Sequence, residues 1–159
     1  MGWKLLTLLG FAEKVEEKLV KFKVFDEIIY SRTPLKALER FFEDKNFESR
    51  TVLIVFRREL LGKTDISNEV YCEKNVSSLY KTLCKICTEG DSKLVFEISN
   101  APPYIFPLLD LVALKLKLLG KQILGIYYFM DEGDYRQVVD LTLIFYINEY
   151  IKYLQVASI

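Results

Sequence analysis

The stretch Lys93–Phe129 constrains this chain most, because its pattern reads as strand, polar loop, apolar helix, strand. Leu94–Ile98 is a short apolar run without clean alternation, as expected of a strand covered on both faces. Ser99, Asn100 and Ala101 follow, just beyond its carboxyl end. Pro102 and Pro103 stiffen the turn and are expected to start the next helix, where proline is tolerated in the first turn. That helix, from about Tyr104 to Leu119, is apolar almost all round, broken by Asp110, Lys115 and Lys117. Such a helix is expected to be buried on more than one side, with Gly120 as its stop. The strand Gln122–Phe129 closes the unit. In an open α/β sheet, ligands bind in the loops outside the carboxyl ends of strands. That places candidate chemistry at Ser99–Tyr104.

Elements on either side extend the pattern. Trp3–Leu9 reads as a buried strand, with Gly10–Lys14 as the loop beyond it. Lys18–Phe25 alternates as a half-exposed strand and, with Ile28–Ser31, forms a hairpin. Thr33 caps a helix with Pro34 at its first position, running to about Glu43. Thr51–Phe56 is a continuous β-branched strand followed by Arg57 and Arg58. Gly62–Glu73 is polar loop with room for a short strand near Val70. Ser77 or Asn75 caps a helix to about Thr88, with Leu79, Leu83, Ile86 and Cys87 inward. Asp131–Asp134 is a charged turn, and Asp140 caps a last apolar helix from Leu141 to about Leu154. With no linker or repeat, residues 1–159 are expected to form one α/β domain. The expected fold is a doubly wound, mostly parallel Rossmann-like sheet with a β-hairpin and helices on both faces. Helices 104–119 and 141–154 carry more apolar surface than one sheet face covers, so a two-fold homodimer is expected.

Composition removes several function classes. Equal numbers of acidic and basic residues, 22 of each, argue against a broad basic face for long nucleic acid, so no DNA partner is expected. No apolar stretch of about 20 residues is present, so no membrane span is expected. The absence of a leader pattern and the odd count of three cysteines fit a reducing cytoplasm. Cys84 and Cys87 form a lone CxxC late in a helix and read as core thiols. There is no histidine, which removes the usual triads and general bases, and there is no P-loop or dinucleotide fingerprint. Neither a metal nor an organic cofactor is expected.

What remains is a set of loops converging on one sheet edge. A helix start after Ser99 favours a phosphate, and Ser99 and Asn100 add a hydroxyl and an amide. Phe11, Tyr104, Tyr127 and Tyr128 are candidates to stack on bases. The structural alternative for each is plain: Ser99 and Asn100 as helix caps, Arg57 and Arg58 as a solvated strand end, the tyrosines as core.

The order of elements resembles the CARF domain, the sensor of cyclic oligoadenylates in type III CRISPR defence. The resemblance rests on the opening strand ending in Leu8-Leu9-Gly10, the hairpin leading into Thr33-Pro34-Leu35, and the strand Thr51–Phe56. It continues through Phe96–Tyr104, Ile126–Phe129 and Val138–Thr142. Where the family has Asp-Ile-Thr-His-Gly and then a basic residue, this chain has Glu97, Ile98, Ser99, Asn100 and Ala101, then Pro102 and Pro103. The resemblance implies a homodimer binding a cyclic adenylate, cyclic tetra-adenylate foremost, across its axis. Its ligand contacts would come from Gly10, Phe11, Ala12, Glu13, Arg58, Asn100, Ala101, Pro102, Tyr104 and Tyr127. With no room here for an effector domain, it implies a stand-alone ring nuclease that switches off the antiviral signal. The implied chemistry is metal-independent attack of a ribose 2′-hydroxyl on its own phosphodiester, with Lys14, Arg57, Ser99 and Lys152 as the catalytic set. A sensor that binds the ring without cleaving it is the alternative.

Overall fold

Strand β1 (Trp3–Leu9) lies inside the sheet because its run of leucines has apolar neighbours on both faces: Leu5, Leu6 and Leu8 are all buried. The structure is a computed structural model describing residues 3–9, 18–44, 49–63, 68–90 and 93–157. β1 pairs in parallel with β4 (Ser49–Val55) on one side and β6 (Lys93–Glu97) on the other. Outward from β4 comes β5 (Glu69–Tyr71), and outward from β6 comes β7 (Gln122–Glu132), both parallel. β8 (Tyr135–Asp140) turns back antiparallel to β7, and the hairpin β2 (Val20–Val24) and β3 (Glu27–Ser31) completes that edge. The eight strands lie in the order β3-β2-β8-β7-β6-β1-β4-β5.

Helices cover both faces. Alternate residues of a strand point opposite ways, and the core divides accordingly. Leu5 and Val95 join Phe22, Val24, Phe129 and Val138 beneath α1 (Pro34–Asp44), through its Leu35, Ala37 and Leu38. Leu6, Leu8, Leu94, Phe96 and Ile126 pack on the other side against α2 (Val76–Thr88) and α3 (Ile105–Leu118). α4 (Thr142–Ala157) adds Phe145 to that second layer. The expected caps are in place: the Lys36 N–H donates to Thr33 Oγ1 at 3.1 Å, the Ser78 N–H to Asn75 Oδ1 at 2.8 Å. Cys84 and Cys87 are buried in the apolar face of α2. No helix among the described residues is long and apolar enough to cross a membrane.

Three expectations need correction. Val138–Asp140, read as entering the last helix, belong to strand β8, which spans Tyr135–Asp140. A two-residue turn at Gly133-Asp134 returns the chain, with Gly133 at φ 69°, a conformation glycine adopts without steric penalty. Pro102 and Pro103 precede α3 rather than starting it; the proline in its first turn is Pro107, whose missing N–H would be unsatisfied there anyway. Finally, α3 is buried along one side only within the chain. Leu111, Leu114 and Leu118 stay exposed, as do Leu143, Ile144, Ile147 and Tyr150 of α4.

Candidate ligand-binding site

The first helix after β1 and the helices flanking β6, two neighbouring strands, lie on opposite faces of the sheet. Between β1 and β4 the helix α1 lies on one face, and after β4 Leu60 packs on the same face against Leu53 and Val55. The routes into and out of β6 carry α2 and α3 on the other face. In open α/β sheets the usual ligand site lies beyond the carboxyl ends of two neighbouring strands whose helices lie on opposite faces.

A buried carboxylate lies at the carboxyl end of β6. Thr7, Glu97 and Tyr127 stand side by side on β1, β6 and β7. Glu97 is fully buried. Its Oε2 accepts the Thr7 hydroxyl at 2.7 Å, and its Oε1 accepts the Ser99 N–H at 2.8 Å. Ser99 Oγ in turn accepts the Phe129 N–H at 2.8 Å, taking the place of a ladder carbonyl where β6 has ended. Three strands are thus tied together at one edge by Thr7, Glu97 and Ser99. Burial holds the Glu97 carboxyl above its ordinary range, against the opposing pull of the Ser99 and Thr7 donors and of the more distant Arg136. Arg136 is engaged elsewhere: its guanidinium sits 5.6 Å from the Phe22 ring, and its Nε is 3.4 Å from Asp131 Oδ1.

Aromatic side chains wall the α1 side. Tyr127 is half-buried, with its ring 6.0 Å from Phe25 and 6.4 Å from Phe42. Burial and Asp140 push its phenol up to about 12. Gly125, two residues earlier on the same face, makes room for that ring: a Cβ there would lie 2.5 Å from it. Phe25 holds φ 55° at the tip of the β2–β3 hairpin, a strained conformation for a bulky residue, while its ring packs against Phe41 and Tyr127.

The residues singled out from sequence divide into groups. Ser99, Asn100, Ala101, Pro102 and Tyr104 all lie in the loop between β6 and α3. Ser99 turns its polar groups inward, however, to Glu97 and Phe129. The helix start offers less than expected to an anion. The Ile105 N–H donates to Pro102 O at 3.0 Å and Pro107 has none, which leaves at most the Phe106 N–H in the first turn. Tyr104 is half-buried against the α2–α3 core and Tyr127 faces α1, so the two phenols lie on opposite sides of the sheet. Arg57 and Arg58 follow β4 on the same edge, two strand spacings from Ser99, or about 10 Å. Arg57 Nε is 3.9 Å from Glu59 Oε1 and makes no hydrogen bond, and the Arg58 guanidinium stacks 4.1 Å from the Tyr71 ring.

Lys152 is not brought to this edge. α4 descends along β7 from Ile126, whose N–H donates to Thr142 Oγ1, to Ile123, whose carbonyl accepts from Tyr146. Lys152 lies further along that course and its Nζ donates to Asp110 Oδ2 at 2.6 Å. Gly10, Phe11, Ala12, Glu13 and Lys14 lie outside the described residues. Sequence reasoning left Thr7 and Glu97 out of the site. The available signal was polarity out of place: Thr7 interrupts Leu5–Leu9, and Glu97 ends an apolar strand. No protein-family model matches the chain, and a search among curated proteins finds no relative.

Proposed function

We propose that the protein binds a cyclic oligoadenylate, cyclic tetra-adenylate foremost, across a homodimer of doubly wound CARF-like domains and linearises it, switching off type III CRISPR signalling in the cytoplasm. The observation that carries this reading is the parallel pair β1 and β6 with their helices on opposite faces of the sheet, and the loop 99–104 beyond the carboxyl end of β6. The exposed leucines and isoleucines of α3 and α4 support the dimer, since bare apolar surface of this kind favours association. A second copy seated there on a two-fold axis would double that strand-end edge for a symmetric ring.

The chemistry asks little of the protein. A ribose 2′-oxygen forms a bond to the adjacent phosphorus as the bond from phosphorus to the 5′-oxygen breaks. The 2′-hydroxyl gives up its proton and the leaving oxygen gains one, giving a 2′,3′-cyclic phosphate and a free 5′-hydroxyl. The protein holds that in-line geometry and stabilises the charge on the equatorial oxygens. Arg57 and Arg58 are the described cations on the strand-end edge for that role; Ser99 orients the loop that carries Asn100 and Tyr104. Incubation of purified protein with cyclic tetra-adenylate in EDTA, followed by chromatography, tests the reading. Linear product ending in a cyclic phosphate is expected. Intact ring with excess enzyme after many hours removes the enzymatic reading.

A second reading is a sensor or sponge that holds the ring and signals to a partner. It is favoured by the commitment of both Ser99 polar groups to Glu97 and Phe129. It gives tight binding without turnover, and weaker binding in Arg57→Ala.

A further inference from the structure

We infer that Glu97 is the positioning residue of the strand-end edge at β1 and β6, setting the 99–104 loop by holding Ser99, which in turn fixes β7 at Phe129. The inference rests on reading that edge as the ligand site. Glu97 itself touches no ligand, because none of it reaches the surface. Its reach is through hydrogen bonds in series: Thr7 Oγ1 to Oε2, the Ser99 N–H to Oε1, and the Phe129 N–H to Ser99 Oγ. Ser99 and Glu97 are two residues apart, and Thr7 is 90 residues from Glu97 along the chain. The carboxylate therefore joins the strand-end loop to the neighbouring strand β1.

The arrangement differs from ordinary structural burial of an acid. No lysine or arginine forms an ion pair with Glu97 among the described residues; its hydrogen-bonding donors are neutral. An ion that owes its place to charge pairing loses that place when neutralised. An acceptor held by an amide and a hydroxyl keeps most of its geometry as a glutamine, because the amide oxygen still accepts the Ser99 N–H and the Thr7 hydroxyl can accept from the new NH₂. Shape and hydrogen-bond geometry, rather than charge, set the loop. The conservative variant thus separates positioning from charge.

The test uses amide hydrogen exchange on the ligand-free protein and calorimetric binding of cyclic tetra-adenylate to the same samples. In Glu97→Ala, the Ser99 and Phe129 amides are expected to exchange about ten- to a hundredfold faster, with Leu83 and Val112 unchanged. Ring affinity is expected to fall by about tenfold or more. Glu97→Gln is expected to stay within about threefold of wild type on both measures. If Glu97→Ala fails to fold, Thr7→Val carries the test, with about threefold or more faster exchange at Ser99 and Phe129 expected. Unchanged exchange at those two amides overturns the inference. So does a uniform rise across all amides, and so does a Glu97→Gln protein that behaves like Glu97→Ala. A wild type that shows the expected exchange pattern across the variants yet binds no ring overturns the ligand reading alone.

Discussion

Two charged residues are buried at opposite ends of the central strands, and the protein treats them differently. Lys4 lies near the amino end of β1 and points to the α2 side, where its Nζ donates to Ile86 O and Glu89 O, both at 2.7 Å. Those carbonyls belong to the last turn of α2 and the residue that ends it, so the ammonium caps the negative end of a helix. Lys121 adds a second ammonium there, donating to Thr88 O at 2.5 Å. Glu97 lies at the carboxyl end of β6 and points to the α1 side, where its donors are a hydroxyl and a loop amide. Lys4 completes a helix terminus, and its role ends with the fold. Glu97 completes a loop on the edge where open sheets bind ligands. Burial of charge alone therefore does not mark a functional site; the element to which the partners belong does.

The comparison is broken most easily from the Lys4 end. Lys4→Ala leaves two carbonyls without their charged donor, and a loss of about 2–3 kcal/mol in urea denaturation is expected, with an unchanged m-value. A Lys4→Ala protein that loses ring binding while remaining as stable as wild type would erase the distinction. Next in size is Gly125→Ala. The added methyl meets the Tyr127 ring at 2.5 Å, and repacking of the α1-side wall is expected to cost about 1–3 kcal/mol. Tyr127 fluorescence and thermal melting read the two consequences together.

Glu97→Gln sharpens the comparison through pH. A carboxyl whose folded value is raised binds its proton more tightly in the folded chain. Wild-type stability is then expected to fall as pH rises from about 4.5 through the folded value and to level off above it. The variant lacks this slope, so the gap in melting temperature should open in its favour from acid to neutral pH, by about 2–4 °C for each kcal/mol. Glu149, also raised by burial and by Asp110, contributes the same sign to both proteins and cancels in the difference. Lys121→Ala should be milder than Lys4→Ala, about 1 kcal/mol, because part of its contact is exposed. The smallest effect concerns Cys87, beside Lys4. Burial pushes its thiol up to about 12, so iodoacetamide at pH 8.5 is expected to leave it unmodified until the protein is unfolded.

Much of the fold was legible because it is locally encoded. Thr33 and Asn75 cap the helices that the sequence places after them, and Val20–Val24 pairs with Glu27–Ser31 as the alternation indicates. The short strand near Val70 is present as β5. β8 escaped notice because Tyr135–Asp140 carries little apolar signal of its own. Its identity depends on lying between β7 and β2, whose sequences are distant. The site was legible as a place and less so as a set of groups. The loop after β6 is where the pattern puts it, yet Ser99 faces inward because Glu97, two residues before it, claims its N–H. Lys152 looked available until the helix carrying it met Asp110 on α3.

By itself, the sequence determined the strand–loop–helix–strand unit at residues 93–129, the hairpin ahead of Thr33, the caps, and the apolar excess of the last two long helices. These follow from periodicity and turn chemistry within about a dozen neighbouring residues. Tertiary structure alone decided that Thr7 and Glu97 meet, that Tyr104 and Tyr127 part to opposite faces, and that Lys4 caps a helix more than eighty residues away. The physical reason is that a hydrogen bond between strands depends on which strands become neighbours and in what register, and those are settled by packing of the whole sheet.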